Sequence, residues 1–222
     1  ASRKNPPTKT RRNPLPMPRP PLNERKIVYA IGAPEQGKSS YIAAAIAEEP
    51  RVLAWLPASG DVDCNGCIVR SAADLLAAIQ AAGEGPALIQ YVPRYELRRE
   101  FESFCIGAMG WGELGDVAVL VEELADVSTI GKASPHWGRV LRECRHFHLR
   151  IFSTTQRPQE ADKTILGIYS TLAVFWLPDA DDRLYIARKT QLPMEQLDTL
   201  QRLQYLESEG RGQYVRGRLT FA

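Results

Sequence analysis

Residues 32–39 read GAPEQGKS, the complete GxxxxGK[ST] pattern of a phosphate-binding loop. The loop follows an apolar run at 27–31 and precedes a helical pattern, so its strand and helix context is also present. Its two glycines let the backbone fold back, so that successive amide N–H groups point at phosphate oxygens. Lys38 would neutralise the β- and γ-phosphates of ATP, and the Ser39 hydroxyl would ligate Mg²⁺. The predicted nucleotide-binding residues are Gly32, Ala33, Pro34, Glu35, Gln36, Gly37, Lys38, Ser39 and Ser40.

Two adjacent carboxylates follow a second buried strand. The apolar run at 117–121 ends in Glu122 and Glu123, which should therefore lie at the same edge of the sheet as the phosphate loop. We expect Glu122 to hold Mg²⁺ through its water shell. We expect Glu123 to orient or deprotonate the attacking water. The alternative is that both acids only begin a solvated segment.

The elements that must position these groups follow an α/β pattern. Short apolar runs alternate with longer helical patterns, which predicts a mainly parallel sheet flanked by helices. The predicted strands are 27–31, 52–56, 87–92, 117–121, 149–154 and 172–177. The predicted helices are 38–47, a helix opened by Ser71, 95–108 and 137–146. An amphipathic helix at 195–207 and a β-hairpin at 213–221 that turns at Gly217 are predicted at the C-terminal end.

Composition bounds the class of protein. The chain has 222 residues, of which 44% are hydrophobic and 24% charged, values typical of a globular domain and not of disordered, collagen-like or disulfide-scaffold chains. Its longest apolar stretches are far shorter than the ~18 residues of a membrane-spanning helix, so no span is expected. An N-terminus without an apolar segment argues against a secretory signal, and the four cysteines then suggest a reducing compartment.

The first 26 residues differ from the rest. They hold eight basic side chains against one acidic one, and seven of the sixteen prolines. Because proline withholds a backbone donor, this segment is predicted to be an extended basic arm, and 27–222 to form one ATPase domain. The arm could neutralise phosphates on nucleic acid, wrap a partner or serve only as a solvated tether.

Three further stretches resemble one family. The sequences VLVEELADV (119–127), LRECRH (141–146) and IFSTTQRP (151–158) are similar, in order and spacing, to motifs of the HerA and FtsK superfamily of DNA-pumping ATPases. At this chain length, the chain looks most like the genome-packaging ATPases of tailless icosahedral viruses with internal membranes. The superfamily usually has Asp where this chain has Glu122.

The resemblance implies a RecA-like P-loop core that assembles as a homo-oligomeric ring, with ATP and Mg²⁺ between subunits and double-stranded DNA in the channel. Gln156 would be the polar sensor of the γ-phosphate or the attacking water. Arg145 would be the arginine finger that reaches a neighbour's site, although an arginine at a helix end can also be a plain dipole partner. The other arginines that compete for this role are Arg139, Arg142 and Arg157.

The resemblance also implies a function. The chain would be an ATPase that packages viral DNA into a preformed capsid, with a capsid or vertex protein as a possible partner, in the host cytoplasm or at the packaging vertex. The candidate DNA contacts are Lys132, Arg98 and Arg99, which could equally belong to a solvated charged face. Two alternatives remain: a nucleotide-gated phage assembly or extrusion protein, and a P-loop kinase.

No metal site is predicted from the other ligand-type residues. Cys64 and Cys67 form a single CxxC pair without a second pair nearby, whereas a structural zinc site needs four ligands. His146 and His148 flank a predicted helix-to-strand junction and would diverge.

Overall fold

The computed structural model describes residues 10–12, 26–57, 66–210 and 212–220. Most of the predicted basic arm lies outside the described residues, with only Thr10–Arg12 and Lys26 inside them. Cys64 also lies outside them, so the structure does not test its pairing with Cys67.

One mixed sheet of ten strands runs through the described part of the chain. In chain order its strands are β1 (Thr10–Arg12), β2 (Ile27–Ile31), β3 (Arg51–Trp55), β4 (Cys67–Val69), β5 (Ala87–Tyr91), β6 (Val117–Val121), β7 (Leu149–Thr155), β8 (Thr171–Phe175), β9 (Gln204–Gly210) and β10 (Gln213–Arg218). Their order in the sheet is β1-β10-β9-β8-β2-β7-β6-β3-β5-β4. Every neighbouring pair is parallel except those of β9, which runs antiparallel to β8 and β10. The predicted fold class is confirmed.

Helices connect most of the parallel strands. They are α1 (Lys38–Ile46), α2 (Ala72–Ala82), α3 (Leu97–Gly112), α4 (Leu124–Val127), α5 (Pro135–Glu143), α6 (Ala180–Thr190) and α7 (Met194–Asp198), with a 3₁₀ turn at Ile165–Gly167. The predicted cap of α2 is present, since the Ser71 hydroxyl accepts a hydrogen bond from the Asp74 amide at 3.1 Å. Within the described residues, none of the helices is long and apolar enough to cross a membrane.

The central strands are buried on both faces, and successive side chains along a strand pack on opposite sides of the sheet. In β2, Ile27, Tyr29 and Ile31 join the larger core cluster, which α2, α3 and α5 cover. Val28 and Ala30 point to the other side, where they pack in a smaller cluster with α1. The strand that leads into the phosphate loop is therefore fixed from both sides.

The C-terminal region corrects two predictions. The helix predicted at 195–207 is wrong, because α7 ends at Asp198 and β9 begins at Gln204. The predicted hairpin exists, but it joins β9 to β10, so its turn follows Gly210. Gly217 lies inside β10, where a Cβ would come within 2.3 Å of the Tyr205 ring. Long-range strand pairing has overridden the local helical spacing of the leucines.

Candidate nucleotide-binding site

Three neighbouring strands deliver the predicted groups to one edge of the sheet. The phosphate loop follows β2, the paired acids follow β6, and Gln156 follows β7, which lies between those two strands. The Gly32 amide donates to the Thr155 carbonyl oxygen at 3.1 Å, which joins the start of the loop to the end of β7. The site is thus built on the carboxyl ends of parallel strands, where α/β proteins bind ligands.

Both glycines of the loop are required by their surroundings. Gly37 has a φ of 99°, in the left-handed region that glycine adopts without cost. A Cβ on Gly37 would lie 2.5 Å from Leu219 Cδ1, and one on Gly32 would lie 2.6 Å from Phe175 Cβ. The loop therefore folds tightly against β8 and against the segment that follows β10.

Gly37→Ala should destabilise the protein by about 1–3 kcal/mol, because the new methyl group meets Leu219 in an unfavourable backbone conformation. Nucleotide binding should weaken as well, since the loop cannot keep its shape. Thermal unfolding and nucleotide titration measure the two effects. Gly110→Ala is the matched control: Gly110 lies inside α3 with no atom within 4 Å of a new Cβ, so alanine should be neutral or stabilising by up to about 1 kcal/mol. Equal stability of the two variants would contradict this account of the loop.

Lys38 is held within the loop. Its Nζ donates to the Ala33 carbonyl oxygen at 2.8 Å, and the residue is only 8% exposed. Burial lowers the pKa of Lys38, while the nearby charges of Glu123 and Glu122 raise it in part. A phosphate anion in the loop would supply the counter-charge that this buried ammonium group needs.

Glu123 is positioned by its own backbone and by the end of β7. Its amide donates to the Thr154 hydroxyl at 3.2 Å. Its carboxylate accepts hydrogen bonds from the Thr155 hydroxyl at 2.9 Å and from the backbone amide of Gln156 at 3.1 Å. Burial raises the pKa of Glu123, and these hydrogen bonds oppose that rise. A fixed carboxylate with a raised pKa is suited to act as a general base.

The backbone of Glu123 adds a second sign of function. Its φ of 47° lies in the left-handed region, which costs a non-glycine residue of order 1–3 kcal/mol. Such strain persists where surrounding contacts impose it, and here β6, β7 and α4 meet at this residue. The hydrogen bonds to Thr155 and Gln156 hold the carboxylate that this backbone conformation presents.

The groups that could hold a magnesium ion are Ser39 and Glu122. Ser39 is exposed in the first turn of α1. Glu122 is half-buried, its amide donates to the Trp55 carbonyl oxygen at 3.1 Å, and its charge acts on Lys38. One hydroxyl and one carboxylate, completed by phosphate oxygens and water, form the kind of partial oxygen set that Mg²⁺ accepts. The fit of these donors supports the predicted metal role, which stays a prediction.

Two cavities open on either side of the phosphate loop. The helix-side cavity, about 450 Å³, is lined by Glu35, Gly37, Lys38, Ser39, Ser40, Arg202 and Leu203. The strand-side cavity, about 510 Å³, is lined by Ala33, Pro34, Gln156, Arg157, Pro178, Asp179 and Asp182. Every residue of the predicted loop except Gly32 and Gln36 therefore faces one cavity or the other.

Known proteins resemble this chain in sequence and in fold. No family model matches the chain. Protein P9 of Pseudoalteromonas phage PM2 is 38% identical over 138 residues, which are 61% of this chain and 62% of that protein, so the chain spans less than two thirds of its relative. The structure of the genome packaging NTPase B204 from Sulfolobus turreted icosahedral virus 2, in complex with AMPPCP, superposes with a TM-score of 0.74 at 16% identity, over 89% of this chain and 99% of that one.

The chain shares the fold of B204. VirB4 of Thermoanaerobacter pseudethanolicus shares the fold more distantly, with a TM-score of 0.60 at 9% identity over 92% of each chain. The resemblance expected from the sequence motifs is thereby confirmed at the level of the fold.

The fold places Arg145 away from its own phosphate loop. This exposed residue lies between α5 and β7, at the amino ends of the strands, whereas the loop lies at their carboxyl ends. Arg145 therefore cannot serve the phosphate loop of its own chain, and its role in a neighbour's site stays a prediction. Among its competitors, Arg139 pairs with Glu143 at 2.9 Å, and Arg157 lines the strand-side cavity.

The candidate DNA contacts lie on two adjacent segments of the chain. Arg98 and Arg99 lie in the first turn of α3, and the exposed Lys132 lies in the loop before α5. Glu102 joins the segments, since it accepts the His136 amide at 3.0 Å and lies 2.6 Å from Nδ1 of the same residue. Arg99 pairs with Glu96 at 3.1 Å. The contact between Glu102 and His136 therefore joins the two segments that carry these cations, and their role in binding DNA stays a prediction.

Several residues of this fold escaped the sequence analysis. Near the candidate DNA contacts in the sequence, the exposed residues that it did not name are Arg94, Tyr95, which is 75% exposed, and Ile130, which is 70% exposed. At the nucleotide site they are Thr154, Thr155, Asp182 and Arg202. The two threonines directly precede Gln156, so the same motif could have indicated them. Asp182 and Arg202 lie in later elements, and no sequence pattern links them to the loop.

Proposed function

We propose that this protein is an ATPase that moves double-stranded DNA, and that it packages a viral genome into a preformed capsid. The observation that carries the proposal is the hydrogen bond from the backbone amide of Gln156 to the Glu123 carboxylate, next to the loop that holds Lys38. The residues proposed as the phosphate cradle, the base for water and the polar sensor therefore follow strands that end at one edge of the sheet. The fold shared with B204, described as a genome packaging NTPase, supports the packaging role.

In the proposed reaction, the loop amides and Lys38 bind the β- and γ-phosphates of ATP. Glu123 accepts a proton from a water molecule, whose oxygen forms a bond to the γ-phosphorus as the bond to the β–γ bridging oxygen breaks. The products are ADP and inorganic phosphate. Gln156 orients the water or the γ-phosphate through its side-chain amide. Mg²⁺, held by the Ser39 hydroxyl and through water by Glu122, would neutralise charge on the phosphate oxygens.

Coupling to DNA requires neighbouring subunits. We infer a ring in which Arg145 of one subunit contacts the nucleotide of the next, so that hydrolysis releases the contact and lets the subunits rotate. The DNA would be held through its phosphates, without reading sequence, by cations such as Arg98 and Lys132. Neither of these two side chains forms an ion pair within the described residues. The protein would act in the host cytoplasm or at the packaging vertex, with a capsid protein as its partner there.

The test is phosphate release from ATP at low salt, with and without duplex DNA. The proposed motor should release phosphate without any acceptor molecule, and DNA should raise the rate. A kinase would need a small acceptor for turnover. An assembly protein would show no hydrolysis under either condition, while nucleotide would alter its binding to other proteins. The same rate of phosphate release with and without duplex DNA would contradict the translocase proposal.

The double variant Arg98→Glu with Lys132→Glu should weaken DNA binding, because it reverses two charges on the proposed DNA-binding surface. For each DNA phosphate that the protein no longer neutralises, the slope of log affinity against log salt should become shallower by about 1. Fluorescence anisotropy of labelled duplex DNA over a salt series measures that slope. Arg188→Glu with Lys189→Glu, in the last turn of α6, makes the same change in net charge elsewhere. An equal loss of DNA binding in both double variants would show that only net charge matters.

A further inference from the structure

The two cavities that flank the phosphate loop differ in their relation to the reacting groups. Gln156 lines the strand-side cavity together with Ala33 and Pro34. The Glu123 carboxylate accepts a hydrogen bond from the backbone amide of Gln156 at 3.1 Å, so the proposed base and the proposed sensor both lie next to the strand-side cavity. Given the proposed function, the phosphate that reacts with water must lie at this end of the loop.

The helix-side cavity must then hold the other end of the nucleotide. It is lined by Ser39 and Ser40, in the first turn of α1, where a helix N-terminus favours phosphate groups. Beyond them the same cavity is lined by Arg202 and Leu203. A chain of phosphates that starts beside Gln156 and passes Lys38 would leave its nucleoside among these residues.

Arg157 stands at the strand-side cavity with donors to spare. Its Nη2 lies 3.1 Å from a Glu160 carboxylate oxygen, and its Nε lies 3.8 Å from a carboxylate oxygen of the buried Asp182. A guanidinium group has five N–H donors, and these two ion pairs engage only part of them. The Glu160 partner is exposed, so this pair adds little to stability and can open at small cost.

Arg202 stands at the other cavity and is held there by the turn before β9. The next residue, Leu203, has a φ of 65° and lies against the position of Gly37, where a Cβ would meet Leu203 Cδ2 at 3.2 Å. The Leu219 amide donates to the Leu203 carbonyl oxygen at 2.9 Å, which fixes this turn to the strand end. Arg202 itself is exposed, with Nη2 3.9 Å from a Glu35 carboxylate oxygen, so its planar group is free to stack on a base.

We propose that the two arginines contact opposite ends of the bound nucleotide, with Arg157 on the γ-phosphate and Arg202 on the nucleoside. This polarity rests on the proposed nucleotide site. Arg157 acts within its own chain and is distinct from the arginine expected from a neighbouring subunit. The C-terminal turn that carries Arg202 is then part of the nucleotide site.

The test compares the binding of AMPPCP and ADP, each with Mg²⁺, to the full chain by calorimetry. Arg157→Gln should weaken AMPPCP binding about tenfold or more and change ADP binding less than about twofold, because ADP lacks the γ-phosphate. Arg202→Gln should weaken both ligands by the same factor, about threefold or more. Arg188→Gln, on an exposed turn of α6, is the control and should change neither.

Each result decides the matter. An equal effect of Arg157→Gln on both ligands, or no effect, would overturn the γ-phosphate contact. A selective loss of AMPPCP in Arg202→Gln, or no loss at all, would overturn the nucleoside contact. If the unaltered protein binds neither ligand, the proposed function itself is wrong. That outcome is distinct from a protein that binds both ligands and whose variants fail to separate them.

Discussion

Glu123→Gln is expected to lower ATP turnover by about 10²–10⁴-fold while ATP still binds. The amide of glutamine cannot accept a proton from water, so the proposed base is lost. Its carbonyl oxygen can still accept the hydrogen bond that the Gln156 amide now gives to the carboxylate at 3.1 Å. Phosphate release and nucleotide titration measure the two properties separately.

Glu113→Gln is the matched control for this variant. Glu113 is an exposed acid at the C-terminal end of α3, and the change is the same Glu-to-Gln substitution, with the same loss of charge, away from the nucleotide site. Its turnover should stay close to that of the unaltered protein. Unchanged turnover in Glu123→Gln would show that Glu123 is not the catalytic base, and a similar loss in both variants would assign the effect to the change in net charge.

Lys38→Ala should lose both binding and turnover. The variant removes a buried ammonium group that spans the loop to the Ala33 carbonyl oxygen at 2.8 Å and that is proposed to neutralise the β- and γ-phosphates. A charged hydrogen bond of this kind contributes about 1.5–3 kcal/mol, which corresponds to a loss of roughly ten- to a hundredfold or more in affinity. Titration with AMPPCP measures it.

Lys189→Ala, in the exposed last turn of α6, is the control for Lys38→Ala and should bind AMPPCP normally. The two active-site variants also differ from each other in a diagnostic way. Glu123→Gln should accumulate bound ATP, whereas Lys38→Ala should bind ATP about tenfold or more weakly than the unaltered protein. AMPPCP affinity that survives in Lys38→Ala would place the nucleotide outside the predicted loop.

The centre of the fold could be predicted because its signals are local. Strands β2 and β6 have the bounds that their apolar runs predict, Ile27–Ile31 and Val117–Val121. Both strands are buried on each face, so every residue of the strand is apolar and the apolar run ends where the strand ends. The phosphate loop and the start of α1 follow from the glycine and lysine spacing. Once the strands are parallel neighbours, the groups that follow them must share one edge.

The C-terminal region could not be predicted in the same way. Leu197, Leu200, Leu203 and Leu206 have helical spacing, yet they lie in α7, in the turn and in β9. Leu203 takes a left-handed conformation there, and β9 pairs with residues of β8 that lie thirty or more positions earlier and with β10, which follows it. Local periodicity carries no information on such pairing.

The same limit applies to parts of the site. Arg202 reaches the loop only because the turn before β9 packs on Gly37, and Asp182 faces the strand-side cavity only through the position of α6. Asp162 is another example. It is fully buried, and its carboxylate accepts hydrogen bonds from the Trp137 indole at 3.0 Å and from the Thr164 amide at 2.9 Å. The bond to the indole ties α5 to the loop after β7, and no motif indicates it.

The central claim is that the phosphate loop, the paired acids Glu122 and Glu123, and the Gln156 side chain surround a single nucleotide at one edge of the sheet. A crystal structure of the protein with AMPPCP and Mg²⁺ tests it most directly. We expect the γ-phosphate within hydrogen-bonding distance of Lys38 Nζ and of the Gln156 side chain, with Glu123 facing the position from which water attacks. A nucleotide bound at any other surface, or a γ-phosphate that points away from Glu123 and Gln156, would contradict the account.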